Sequence, residues 1–512
     1  MKLNQILLRT VFILLIFIIG INKINSQTQL QWIKTYGGIP SQDDVPLKII
    51  TDTEGNFFVT GVINRETSSN QRKACLIKYN QNGDSVFTRL FTSTDSIGTA
   101  GSDLVLDDSL NIYVAGPWSL KYNKFGQLIW AKKRPAPTSK LKFNSSGELI
   151  YSGTQYTTYT FFVVYKCNTN GDTLQKGTYG APNLYGPQVN GLVIDNENNI
   201  IITGQISTGL PDYNHMITVK FSPNCEFLWA RTYNGSSTGN SYDEALAVLT
   251  DSANNIYVTG RSNGPLGGSN FYTIKYDKFG EVVWERRETP SASGASDMKM
   301  DKDHNLVIVG TSNNFFYRVL KLTSDGAFLW TQTTEGYPIA PDPNVVLDSA
   351  SNIYMGCQLE TLNGSADYQI VKYSPNGTRL WNAVYPGSGT RYHYLTDLVL
   401  DKFGNVIVTG YGLVTNASYD FVTVKFSQTT GVLVSSSETP KNFVLNQNYP
   451  NPFNPLTRIN YELQITNYVI LNVYDVNGRL LKELVNEKQT AGNYSIDFDG
   501  SGLPSGTYIY RL

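Results

Sequence analysis

T-D-S-A-N-N-I-Y-V-T-G (residues 250–260), followed by F-Y-T-I-K-Y-D-K-F-G-E-V-V-W (271–284), decides how this chain folds. Both phrases are short and rich in β-branched and aromatic residues. Both alternate along the chain with a period of two, and both are bounded by Asn, Asp and Gly, which favour turns. The same text returns as D-N-E-N-N-I-I-I-T-G (195–204) with I-T-V-K-F-S-P-N-C-E-F-L-W (217–229), and as D-K-F-G-N-V-I-V-T-G (401–410) with F-V-T-V-K-F (421–426). The glycine closing the first phrase recurs at Gly61, Gly116, Gly153, Gly204, Gly260, Gly310, Gly356 and Gly410, at spacings of 37 to 56 residues.

Each unit parses into four short strands. The first ends at an Asp (Asp52, Asp107, Asp195, Asp251, Asp301, Asp348 or Asp401), and a polar turn leads into the N-I-Y-V-T-G strand. The Y-T-I-K-Y strand follows, then a turn such as D-K-F-G, then a strand opening near a tryptophan. Six of the seven tryptophans take that place: Trp32, Trp130, Trp229, Trp284, Trp330 and Trp381. A lone four-stranded sheet leaves its faces bare, so such units must stack, and closing them into a ring removes the need for end caps. The expected fold is all-β, an eight-bladed β-propeller, with seven blades as the alternative if the short second unit is irregular. Trp32 precedes the first complete unit while the last unit ends weakly, so an N-terminal strand is expected to complete the final blade.

Composition sets the outer bounds. Charge is balanced, 41 Lys and Arg against 42 Asp and Glu, with no polybasic run that would suit nucleic acid or an anionic membrane. Lys2 and Arg9 precede the apolar run Val11–Ile21, too short to span a bilayer. Residues 1–26 therefore read as a signal peptide, leaving no membrane span in the mature chain. The propeller is assigned to 27–434, a polar linker to 435–442, and a different texture begins at 443. There F-V-L-N-Q-N-Y-P-N-P-F-N-P (443–455) leads into alternating strands with N-G and S-G turns up to Leu512, the pattern of a small Ig-like β-sandwich.

Two resemblances add to this reading. The repeats resemble the bacterial β-propeller repeat (SBBP-like) family, with consensus D-x-x-G-N-I-Y-V-T-G…D-Y-x-T-I-K-Y-D-x-x-G-x-x-x-W, over roughly residues 30–435. That motif speaks to fold and scarcely to function. Residues 443–512 resemble the C-terminal sorting domain of the type IX secretion system, through Asn448–Pro455, Tyr474–Gly478 and Gly506–Tyr510. The resemblance implies the type IX machinery as a partner and a secreted, extracellular or cell-surface destination. Members of that family usually run on to a last strand with lysines, so Leu512 marks either a fragment or a shortened export signal.

Catalytic chemistry finds little to work with. Cys75, Cys167, Cys225 and Cys357 form no C-x-x-C pair and are expected to be free, mostly buried thiols. Of the three histidines, His304 sits in a repeat turn, His215 precedes a third strand, and His393 lies in R-Y-H-Y between two units. The D-x-x-x-N turns lack the late glutamate of a calcium loop, so no metal is expected. No catalytic set and no cofactor are assigned, and the chain reads as a binding or adhesion protein rather than an enzyme. The alternative is an extracellular carbohydrate-active enzyme using a carboxylate pair on the propeller face.

Lysines recur at Lys78, Lys121, Lys166, Lys220, Lys275, Lys321, Lys372 and Lys425, each expected to pack on an aromatic and meet a turn Asp. Turns after the first and third strands are short. Connections after the second strand and between units vary, and alternating strand direction places both variable sets on one end of the ring. That end is the expected binding face for a glycan or protein, with Tyr156, Tyr159, Tyr233, Tyr392, His393 and Tyr411 as candidate ligand-binding residues.

Overall fold

The computed structural model describes residues 28–38, 42–64, 72–93, 98–156, 160–180, 185–207, 214–235, 242–264, 268–288, 294–312, 316–335, 342–360, 366–387, 392–413, 418–428, 433–436, 444–490 and 492–512. The signal-peptide assignment over 1–26 lies outside them. The chain divides into one compact unit over 27–428 and another beginning at 429.

In the first unit the described residues form eight four-stranded antiparallel sheets and no helix. The first sheet runs Val45–Thr51, Phe57–Ile63, Lys73–Tyr79 and Ser85–Phe91 from inside to outside. The remaining innermost strands are Asp103–Leu106, Thr138–Phe143, Tyr185–Ile194, Glu244–Thr250, Gly294–Met300, Asn344–Leu347 and His393–Leu400. Each neighbours the next, and the last neighbours Val45–Thr51, so the ring is closed. The short second unit is a complete four-stranded sheet. In the eighth sheet the outermost strand is Thr28–Tyr36, paired antiparallel with Tyr419–Gln428. The N-terminal strand thus completes the last sheet.

Two turn chemistries repeat. In the turn after each first strand, the aspartate Oδ1 accepts the backbone N–H four residues on, and the Asn there donates its side-chain amide to the same carboxylate; Asp251 with Asn255 and Asp401 with Asn405 are examples. In the third sheet Asn144 takes the aspartate's place and Glu148 the asparagine's. The residue just before that asparagine is left-handed, which suits Gly55 and Gly404 but is also imposed on Leu110 and His304, at φ 60° and 62°. His304 is therefore a turn residue.

In five sheets the turn after the third strand carries a left-handed glycine that meets the preceding sheet's indole, and in the second sheet Gly126 meets Phe87 in the same way. A Cβ on Gly83, Gly171, Gly280, Gly326 or Gly377 would lie within 3.0 Å of Trp32, Trp130, Trp229, Trp284 or Trp330 respectively. Each indole N–H donates to a carbonyl in that same turn, for instance Trp284 to Ser324 O at 3.1 Å. The repeated lysine reaches the same oxygen: Lys275 Nζ lies 3.1 Å from Ser324 O, and Lys425 Nζ lies 3.2 Å from Gln81 O. Stems pack on aromatics, as Lys275 does over Tyr257, and ammonium groups meet turn carboxylates, as in Lys220–Asp195 at 2.9 Å. Burying one indole face at each of these five contacts contributes about 2–3 kcal/mol. The third sheet has Gln175 at the tryptophan position, and the turn facing it carries left-handed Cys225 instead of glycine. Without an indole overhead, that position accommodates a side chain.

Two expectations change in register. Gly356 is not the repeat glycine: Ile353 pairs Tyr373 as Ile256 pairs Tyr276, which puts Cys357 at the place of Gly260. The domain boundary also moves. Leu433–Ser436, assigned to the end of the propeller and the start of the linker, pairs with Gly492–Asp499 in the C-terminal unit, so the ring ends at Gln428. All four cysteines are buried free thiols, and burial raises the Cys75, Cys167, Cys225 and Cys357 thiols, that of Cys225 to about 11.

The C-terminal unit is a two-sheet sandwich. One sheet orders Leu433–Ser436, Gly492–Asp499, Leu456–Leu463 and Val444–Leu445; the other orders Leu480–Gln489, Asn467–Tyr474 and Ile509–Arg511. Ile459, Tyr461, Leu471, Val473, Ile496 and Phe498 form its core. The proline-rich run is held by its own polar groups: Asn448 Nδ2 donates to Thr457 Oγ1 at 2.8 Å, and Tyr510 OH donates to Asn446 O at 2.9 Å.

Candidate functional site

The innermost strands enclose an axial channel of about 1310 Å³. Alternation along each strand sets two rings of side chains into it. Residues at equivalent register form a polar ring of Lys48, Asp103, Lys140, Asp297, Asn344 and Asp397, with Gly191 and Ala247 in the remaining places. Two residues further along each strand the ring is aliphatic, except for Lys142 and Lys299.

The three aspartates stitch neighbouring sheets together. Asp103 Oδ2 accepts Leu141 N–H at 2.9 Å, Asp297 Oδ2 accepts Val345 N–H at 3.0 Å, and Asp397 Oδ2 accepts Ile49 N–H at 3.0 Å. Lys48 pairs with Asp397 at 2.8 Å and Lys299 with Asp297 at 2.7 Å.

The connections after second strands and between sheets emerge at one end of the ring, and there a tyrosine patch forms at the junction of the eighth and first sheets. Tyr392 stacks on Tyr394 at 6.0 Å. Tyr394 lies 5.0 Å from Tyr411 and 5.8 Å from Tyr419, and Tyr411 meets Tyr419 edge-on at 5.3 Å. All four rings are partly exposed. Two part-exposed carboxylates border them: Asp43 Oδ1 accepts the Tyr419 N–H at 3.1 Å and Asp420 follows in sequence, while buried Asp44 meets this strand through its backbone, its N–H donating to Tyr419 O at 2.7 Å. Burial raises the Asp44 and Asp420 carboxyls, and their neighbours add to it: Asp420 and Asp43 act on Asp44, and Asp43 acts on Asp420. Two N–H donors, Asn64 and Gly38, partly offset this at Asp44.

The candidate residues separate under this geometry. Tyr392 and Tyr411 belong to the patch. Tyr156 is 68% exposed at the end of Leu149–Tyr156 in the third sheet, apart from the patch, and Tyr159 lies outside the described residues. Tyr233 is engaged between sheets: its ring stacks on Tyr272 at 4.2 Å, and its hydroxyl accepts from Arg287 at 2.9 Å.

His393, read as a loop residue, is instead the first residue of the eighth sheet's inner strand and is 1% exposed. Its register partner is Gly412, and a Cβ on Gly412 or Gly387 would lie 2.1 or 1.9 Å from the imidazole. The ring is sandwiched between two glycines and meets Tyr368 and Tyr385 edge-on. The same register position holds Asp44 before the first sheet and Asp243 before the fifth. Those carboxylates accept N–H groups from Gly38 and Asn64, and from Gly235 and Asn263. His393 is thus a packing element beneath the patch.

Sequence reading missed Tyr394 and Tyr419. Each occupies a strand position that in sister units is filled by ordinary strand residues, so only the pairing of strands across the eighth sheet shows them to be neighbours.

A closed ring of four-stranded sheets around a channel, with short turns at one end and long connections at the other, is a β-propeller. In solved structures the chain is similar to Sqt1 from Chaetomium thermophilum, at 9% identity and TM-score 0.52, over 78% of this chain and 99% of that one. It is also similar to BamB from Moraxella catarrhalis, at 13% identity and TM-score 0.44, over 77% and 98% respectively. Among curated proteins, an uncharacterized WD repeat-containing protein of Acanthamoeba polyphaga mimivirus is 29% identical over 133 residues, 22% of this chain. The chain spans only 9% of that relative's length. The family model described as "Secretion system C-terminal sorting domain" matches residues 447–512. That tail marks proteins exported by type IX secretion, which end outside the cell or attached to its surface.

Proposed function

We propose that this protein is an extracellular binding or adhesion protein whose ligand is a glycan, held on the tyrosine patch of the eighth sheet. The observation that carries this is the continuous set Tyr392, Tyr394, Tyr411 and Tyr419 bordered by the part-exposed carboxylates Asp43 and Asp420. Aromatic faces stack on the apolar faces of sugar rings, while adjacent carboxylates accept sugar hydroxyls. Anchoring on strands of a closed ring lowers the ordering cost of presenting these groups, and the export tail takes them to where glycans are displayed. A glycan array probed with the full chain tests the reading. Binding is expected, and Tyr394→Ala and Tyr411→Ala should each weaken it by about fivefold to thirtyfold, the loss of about 1–2 kcal/mol of stacking. An array with no hit, or hits untouched by both changes, would remove this proposal.

The part-exposed carboxylates Asp43 and Asp420 beside the tyrosines favour one second reading, a carbohydrate-active enzyme using a carboxylate pair; burial, with Asp43 alongside, raises the Asp420 carboxyl. Release of reducing ends from array-positive glycans, abolished by Asp420→Asn, would support it over simple binding.

A further inference from the structure

The axial channel carries an imbalance of charge that the folding of the ring does not use. Four lysines and three aspartates line it. Lys48 and Lys299 are paired with Asp397 and Asp297, and Asp103 accepts two backbone N–H groups, from Leu104 and Leu141. Lys140 and Lys142, successive inward-facing residues of Thr138–Phe143, have no ion pair among the described residues. Lys142 stands in the ring that is otherwise aliphatic apart from Lys299, near Ile50, Val105, Val193 and Leu249.

Its side chain is open to the lumen yet walled in by the surrounding sheets. That burial lowers its pKa, and Lys48, Lys299 and Lys140 lower it further against the opposing pull of Asp103. An ammonium so placed is reachable from the channel by a small anion. Aliphatic residues fill the same ring position in six other sheets, so neither the fold nor the register requires a lysine there.

We propose that the channel is a second binding site, distinct from the tyrosine patch, for a small organic carboxylate. Its anionic head sits between Lys140 and Lys142, and its apolar body lies against Val105, Val193 and Leu249. The polar ring beside the aliphatic ring supplies the two environments such a molecule needs. A head group alone would leave the aliphatic wall wet, and an apolar body alone would leave the amines unmatched.

Isothermal titration of the full chain with hexanoate, hexanamide and inorganic phosphate tests this. Hexanoate should bind. Hexanamide, with the same apolar body and no charge, and phosphate, with charge and no apolar body, should each bind at least about tenfold more weakly, the loss of one charge-assisted contact or of the burial of a few methylenes. Lys142→Met and Lys142→Gln should both lose hexanoate affinity by about tenfold or more while keeping the far-ultraviolet circular dichroism of the parent. Hexanamide binding as tightly as hexanoate would overturn the proposal, as would unchanged affinity in both variants. So would a Lys142→Met chain that melts higher while the parent shows no hexanoate heat, since the lysine would then be only a burden on the ring. Glycan-array binding should survive both Lys142 variants, which separates failure here from failure at the patch.

Discussion

Gly326 lies directly beneath the indole of Trp284, so closely that a Cβ on the glycine would stand 2.9 Å from the ring. The glycine is left-handed at φ 81°, and its turn also supplies the carbonyl to which the indole N–H donates. Two costs therefore fall on Gly326→Ala: about 1–2 kcal/mol for a left-handed non-glycine residue and about 1–3 kcal/mol for displacing the indole. Gly147 is left-handed too, at φ 74°, but nothing stands within 4 Å of its Cβ position. Gly147→Ala should cost only the first part, about 1–2 kcal/mol. Urea denaturation of both variants, followed by tryptophan fluorescence, should separate them by at least about 1 kcal/mol. Equal losses would mean that the indole lid does not hold the sheets together.

His304 offers the opposite sign. It is exposed and left-handed at φ 62°, where the sister turns of the first and eighth sheets carry Gly55 and Gly404. His304→Gly removes that strain and no buried surface, so it should raise stability by about 0.5–1 kcal/mol despite the entropy glycine adds to the unfolded chain. A lower denaturation midpoint would show that the imidazole makes a contact worth more than the strain.

These two positions also show how far the sequence could be read. Every turn and strand that follows the repeat was legible, because the same local chemistry recurs: Asp capping its turn, left-handed glycine, and an indole reaching the next sheet. Departures from the repeat were not. Gly356 looks like the repeat glycine and is one residue out, since a strand's register depends on its partners and not on its own text. His393 looks like a loop residue in R-Y-H-Y, yet it starts an inner strand and fills the place that Asp44 holds elsewhere. The tyrosine patch combines residues from three strands and from the connections leading into the eighth and first sheets, and no single stretch of text contains it. Lys140 and Lys142 sit in one strand, but only ring closure brings them into one channel with Lys48 and Lys299.

The turn aspartates set the acid limit of the ring. Burial pushes the Asp107, Asp251 and Asp301 carboxyls up, but hydrogen bonds from Asn111, Asn255, Asn305 and their neighbours, with Lys321 at Asp301, hold them below the ordinary value. Groups lowered in the folded state contribute stability that is fully present above the unfolded carboxyl pKa, about 3.9, and is lost as pH falls through the folded values. Stability should therefore fall steeply below about pH 4. Asp301→Asn should flatten part of that slope and cost about 3 kcal/mol at neutral pH, because it strands the buried Lys321 that pairs with Asp301 at 2.7 Å. Denaturation midpoints measured from pH 3 to 7 check both; a parallel curve for the variant would mean that Asp301 does not titrate with folding.

His393 and Gly412 should be energetically coupled. Gly412→Ala alone forces its Cβ into the imidazole, 2.1 Å from Cδ2, and should cost about 1–3 kcal/mol. His393→Ala alone leaves a cavity beneath the patch and should cost about 2–4 kcal/mol. In the double variant the new methyl enters the space the ring has left, so the losses should fall short of their sum by at least about 1 kcal/mol. Because Tyr411 precedes Gly412 and touches Tyr394, Gly412→Ala should also weaken glycan binding, and His393→Ala in the same chain should restore part of it. Stability losses additive to within about 0.5 kcal/mol would mean that the two residues do not share the space the structure gives them.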